Sequence, residues 1–118
     1  MSTIIKFEEL EVWKTSRQLV NDIYKYFGNS RDYGFKDQIT RASVSIMNNI
    51  AEGFERKSDN EFARFLAIAS GSCAEVRSML YIANDQKMIE SKIAVELQER
   101  CIQISKMISS LRKYLKQS

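Results

Sequence analysis

The stretch SDNEFARFLAIASGSCAEVRSMLYIAND, residues 58–85, decides the fold. Its first four residues, Ser58-Asp59-Asn60-Glu61, form a capping box: the serine oxygen accepts from the Glu61 N–H while the Glu61 carboxylate reaches back. Asp59 and Glu61 also complement the positive end of the helix dipole. Phe62, Phe65, Leu66, Ala69, Cys73, Val76, Leu80 and Ala83 then recur at helical spacing, so a helix runs over about 59–85. At 100° per residue, the side opposite this stripe carries Ala63, Ala67, Gly71, Ala74 and Ser78, with Tyr81 nearby. Between Phe62 and Ala83 the only charges are Arg64, Glu75 and Arg77. A helix facing water on one side shows a polar back. This one is small and neutral all round, as expected where helices pack on both of its sides, and a monomeric bundle cannot provide that. Self-association is the expectation.

Three more helical segments flank it. The first runs over about 9–27, with Trp13, Val20, Ile23, Tyr24 and Phe27 on one side and Gly28-Asn29 as its stop. The second runs over about 35–52, with Phe35, Ile39, Ala42, Ile46 and Asn49 in step, and Gly53 where a left-handed C-cap belongs. The fourth runs over about 91–116, its seam formed by Leu97, Cys101, Ile104, Ile108, Leu111 and Leu115. Short links between four helices imply one all-α domain over residues 1–118, an antiparallel up-down-up-down four-helix bundle.

Composition agrees. The 118 residues contain no proline and four glycines, so long helices run uninterrupted. Hydrophobic residues make up 44% and charged ones 28%, the balance of a globular chain. Histidine is absent, which removes Ser-His and Cys-His nucleophile pairs, the HExxH zinc helix and the ExxH ligands of di-iron bundles. No cofactor or metal is implied, and the expectation is a protein that is not an enzyme. An acid–base site would have to come from Arg41, Asn49, Glu52 and Glu75; Asn49 and Glu52 instead suit hydrogen bonds to the turn before the third helix. Cys73 and Cys101 fall on apolar stripes and read as core residues. Met1 to Phe7 lacks the apolar run of a secretory signal, which points to the cytoplasm.

Residues 42–51 and 65–74 are uncharged and face each other in a hairpin turning near 57–58. Spanning a membrane takes about 20 apolar residues, so these are not membrane segments. The same pairing sets Arg41 opposite Glu75, either as an ion pair or with Arg41 holding a ligand carboxylate or phosphate. The net charge of +3 permits a nucleic-acid partner. After Glu99 the fourth helix carries Arg100, Lys106, Arg112, Lys113 and Lys116 and no acidic residue. Lys106, Lys113 and Lys116 lie within about 80° of one another, clear of the seam. This strip is the candidate phosphate-binding surface, and a solvated lysine face near a helix C-terminus is the plain alternative. Val95 and Ile102, an off-seam apolar pair, are candidates for contact with a protein partner or another subunit.

Asn49-Ile50-Ala51-Glu52-Gly53 with Arg56 and Ser58, then Phe62-Ala63-Arg64-Phe65-Leu66 and Gly71-Ser72-Cys73-Ala74-Glu75, resemble the four helix bundle protein family, also called 23S rRNA intervening-sequence proteins. Phe7-Glu8-Glu9-Leu10-Glu11-Val12-Trp13 and Gln38-Ile39-Thr40-Arg41-Ala42 extend the resemblance over nearly the whole chain. Met47 stands where relatives commonly carry proline, which should leave the second helix straighter here. The resemblance implies a ring-shaped homopentamer, with Arg41, Asn49, Glu52, Gly53, Arg56, Ser58, Gly71, Ser72 and Glu75 as structural motif residues. It also implies kinship with the accessory protein of diversity-generating retroelements, which binds a reverse transcriptase and nucleic acid. The function implied is therefore an oligomeric scaffold for RNA, DNA or a nucleic-acid enzyme, or an adaptor that binds protein alone.

Overall fold

A computed structural model describes residues 3–117; Met1 and Ser2 of the opening stretch, and Ser118, lie outside the described residues. A single 3₁₀ turn, Phe7–Glu9, leads into four helices: α1 Glu11–Phe27, α2 Tyr33–Phe54, α3 Asp59–Asp85 and α4 Ser91–Gln117. α1 packs on α2 and α4, and α3 packs on α2 and α4, so the pairs α1/α3 and α2/α4 lie on diagonals. This is an up-down-up-down bundle measuring 45 × 20 × 20 Å.

Each helix buries the stripe its spacing dictates. Leu19, Ile23 and Phe27 of α1, Ile39, Ile46 and Ile50 of α2, Leu66, Val76 and Leu80 of α3, and Ile104 and Ile108 of α4 are all fully buried. Each such side chain contributes about 1.5–3 kcal/mol on leaving water, which outweighs the weak intrinsic preference of any one helix. Two α1 residues expected on this face sit at its edge. Trp13 is half-buried against the Phe7 ring at 5.2 Å, and Tyr24 is exposed.

The helix ends correct the sequence reading at both ends of α2. α2 starts earlier than expected, at Tyr33, because the Asp32 carboxylate accepts from the Phe35 N–H at 3.2 Å. It also continues through Gly53 to Phe54, so Gly53 is not a left-handed cap; no glycine among the described residues has positive φ. Gly53 is required for a different reason. A Cβ there would lie 2.7 Å from Phe65 Cβ and 2.9 Å from a Phe62 ring carbon, so α3 packs on α2 at a position that admits no side chain. Gly28 ends α1 as expected, in a right-handed conformation (φ −56°) with its N–H reaching the Tyr24 carbonyl at 2.8 Å.

The left-handed position is Lys87, at φ 56°. There Met88 N–H bonds the Ala83 carbonyl at 2.9 Å and Lys87 N–H bonds Asn84 at 3.1 Å, the paired bonds of a Schellman motif ending α3. Met88, half-buried on the core, supplies its apolar contact. At the other end of α3, Ser58 Oγ accepts from the Glu61 N–H at 3.1 Å, the serine half of the capping box.

Candidate functional site

The outer face of α3 is open in the single chain. Ala67, Gly71, Ala74 and Ser78 are exposed, and three large apolar side chains stand among them: Tyr81 at 53% exposure, Ile68 at 49% and Ile82 at 47%. A Cβ on Gly71 would meet nothing within 4 Å, so nothing inside the chain calls for glycine there. Mid-helix glycine costs about 1 kcal/mol relative to alanine, which makes its presence on this face informative. Ile68 and Ile82 were missed in the sequence, although both sit one heptad from Glu75.

Between α2 and α3 the family motif builds a polar seam. Ser45 Oγ and Ser72 Oγ share a hydrogen bond of 2.8 Å, and Asn49 Nδ2 donates to the Ser45 carbonyl at 2.8 Å and to its hydroxyl at 3.0 Å. Asn49 thus turns back along α2 and does not hold the following turn. Gln38 Nε2 donates to Glu75 at 3.2 Å. Arg41 therefore does not pair with Glu75 as expected. Gln38 and Ser45 lie on the α3-facing edge of α2, whereas Arg41 is rotated about 60° further toward water. Arg41, Gln38, Ser45, Ser72 and Glu75 still line one shallow groove of 250 Å³.

In the last turn of α2, Glu52 is exposed and borders a 390 Å³ hollow with Phe7, Ala51, Glu55 and Arg56. The Arg56 guanidinium lies 4.7 Å from the centre of the Phe65 ring and that of Arg64 5.7 Å from it. This cation–π cluster pins the α2–α3 turn to α3. It was legible only once the Gly53 crossing placed Phe65 beside the turn.

The five basic residues of α4 that follow Glu99 divide in the structure. Arg100 forms an ion pair with Asp22 of α1 at 2.8 Å, with only 29% of its side chain exposed, and so ties two helices. Arg112 is half-buried, its Nε enclosed without a partner, because it lies on the α3 side of the helix. Lys106, Lys113 and Lys116 are exposed. Lys106 also borders a 410 Å³ groove with Leu10, Glu11, Val12, Met107, Ser110 and Leu111. Val95, 46% exposed, and Ile102, half-buried, lie along the same side of α4 as the lysines.

Cys73 and Cys101 are buried as expected, but they also meet. Cys73 Sγ donates to the Cys101 carbonyl at 3.1 Å, and Ser105 Oγ lies 3.7 Å from Cys73 Sγ. When Cys73 ionises, the Cys101 thiol donates to its sulfur. That bond lowers the pKa of Cys73 against the opposing effect of burial, and raises that of Cys101. Among the described residues no group of three His, Cys, Asp or Glu side chains could hold a metal ion, and no helix is long and apolar enough to cross a membrane.

The bundle has a solved counterpart. The crystal structure of a protein of unknown function from the S23 ribosomal protein family of Bacteroides thetaiotaomicron VPI-5482 superposes with a TM-score of 0.80, covering 86% of this chain and 98% of that one at 24% identity. No curated protein matches the chain. The family model for 23S rRNA-intervening sequence proteins matches residues 8–110, a span that contains the Gly53 crossing, the Ser45–Ser72 seam and the Cys73–Cys101 contact. With the motif, the bundle and the family match in agreement, the chain belongs to the 23S rRNA-intervening sequence protein family.

Proposed function

We propose that the protein is a non-enzymatic helical scaffold that assembles with copies of itself and binds the phosphate backbone of RNA or DNA through the outer face of α4. The observation that carries this reading is the exposure of Lys106, Lys113 and Lys116 on one side of α4, beyond its last acidic residue. Backbone binding of this kind is electrostatic and does not read sequence. The exposed Ile68, Tyr81 and Ile82 around Gly71 support assembly, and the family resemblance supports a ring of five. A ring repeats the lysine face in every subunit, so weak contacts add through effective concentration. Asn49 bonds back within α2 and Glu75 accepts from Gln38 across to α2, which supports a structural role for the motif. In this reading the protein is cytoplasmic, and a reverse transcriptase-like or other nucleic-acid enzyme is a partner it could present to its template.

The test is binding to RNA and to duplex DNA across a salt titration, for wild type and for the Lys106→Gln, Lys113→Gln, Lys116→Gln triple variant. The variant should keep its stability within about 0.5 kcal/mol. It should bind all sequences more weakly, with the slope of log affinity against log salt flattened by roughly one per lost contact. Equal binding by both proteins at every salt concentration refutes the lysine face as a phosphate site. One observation, the exposure of Val95 beside Ile102, favours a second reading as a protein adaptor, whose binding would be insensitive to salt.

A further inference from the structure

The buried thiols Cys73 and Cys101 are nucleophilic groups that the scaffold reading leaves unused. They belong to different helices, 28 residues apart in sequence, and each is fully buried. The Cys73 sulfur lies against the backbone of Cys101, close enough to donate to its carbonyl. Ser105, only half-buried, donates its hydroxyl to the Cys73 sulfur at 3.7 Å. A thiol that touches the backbone of a second cysteine across a helix pair, with a half-buried hydroxyl on its other side, is placed for sulfur chemistry with a small reagent.

We propose that Cys73 and Cys101 are a peroxide-sensitive thiol pair, which hydrogen peroxide converts to an intramolecular disulfide joining α3 to α4. Bulky disulfides such as oxidised glutathione are excluded by the full burial of both sulfurs, whereas hydrogen peroxide is close to water in size. Cys73 is the attacking sulfur, because its thiolate receives the Cys101 hydrogen bond and feels the positive charge of Arg77. Cys101 keeps its proton until the second step and resolves the intermediate. In the first step the Cys73 thiolate attacks one peroxide oxygen. An S–O bond forms, the O–O bond breaks, and the departing hydroxide takes a proton to become water, leaving a sulfenic acid on Cys73. The Cys101 sulfur then attacks Cys73 sulfur: the S–S bond forms, the S–O bond breaks, and hydroxide leaves with the Cys101 proton as a second water. Two electrons pass from the thiols to the peroxide, and a dithiol reductant reverses the change.

The experiment treats the folded, reduced protein with hydrogen peroxide, blocks remaining thiols after unfolding, and measures intact mass and linked peptides. The expected product is one chain lighter by two hydrogens, with a peptide pair joined through Cys73 and Cys101 and full recovery of both thiols on reduction. In the Cys101→Ser variant a sulfenic acid should accumulate on Cys73 and be trapped by dimedone; in Cys73→Ser the remaining thiol should stay unreacted. The proposal is overturned if both thiols of folded wild type survive peroxide that oxidises the unfolded chain. It is equally overturned if the disulfide joins separate chains, or if Cys101 is oxidised first. If either serine variant fails to fold, the wild-type mass and peptide map decide alone.

Discussion

Where α2 meets α3, small groups make the contact: Gly53 lies under Phe62 and Phe65, Ser45 touches Ser72, and Ala42 and Ala69 are buried nearby. Where α1 meets α4, a groove of 410 Å³ runs between Leu10, Val12, Met107 and Leu111, and the Arg100–Asp22 pair spans the two helices. The first seam gains dispersion and buried area from close approach, and in return tolerates no added atoms. The second keeps larger side chains and a partly hydrated charge pair, so it tolerates change and depends less on any one residue. The same smallness that brings α3 close to α2 also covers its outer face, where no helix of this chain packs. A seam residue and an exposed residue of one helix therefore obey the same size rule, which is the main argument for a second copy.

The sharpest way to break this comparison is at Gly53. Gly53→Val should destabilise by about 2–3 kcal/mol, because the new side chain overlaps Phe62 and Phe65 and the crossing must open. Gly34, also in α2, has nothing within 4 Å of a built Cβ, so Gly34→Ala should stabilise by about 0.5–1 kcal/mol through helix preference alone. Chemical denaturation of both variants checks the pair; equal effects at the two glycines would contradict the close α2–α3 crossing.

A smaller effect is expected across the α1–α4 seam. In a double-mutant cycle with Asp22→Asn and Arg100→Gln, the coupling should be about 1 kcal/mol, the upper end for a pair that is still about a third exposed. A coupling near zero would leave that seam held by apolar contact alone. Smallest and opposite in sign, Lys87→Gly should raise stability by about 0.5–1 kcal/mol, since glycine adopts the left-handed turn after α3 without the side-chain penalty. A loss of stability in thermal melts would mean that the lysine side chain contributes more than its backbone strain costs.

The helices were legible because their stripes are long and proline is absent: α3 spans Asp59–Asp85, the range its capping box and apolar spacing dictate. The glycines were not, because a sequence shows that a residue is small and not which constraint selects it. Gly53 was read as a turn and is a crossing point; the turn residue is Lys87, whose strain no composition rule signals. The basic strip was only half legible. Linear spacing puts five cations after Glu99 on one helix, but Asp22 lies 78 residues from Arg100, and only the packing of α1 on α4 brings the two together. Gln38 intercepting Glu75 is the same kind of miss, since helical rotation decided the partner and residue number alone could not.

Self-association through the outer face of α3 is the claim on which the scaffold reading stands, and particle mass in solution tests it most directly. Light scattering at micromolar concentration should return a multiple of the 13.7 kDa chain, with five copies as the expected order. A particle of 13.7 kDa would contradict it, leaving Ile68, Tyr81 and Ile82 exposed to water on a monomer.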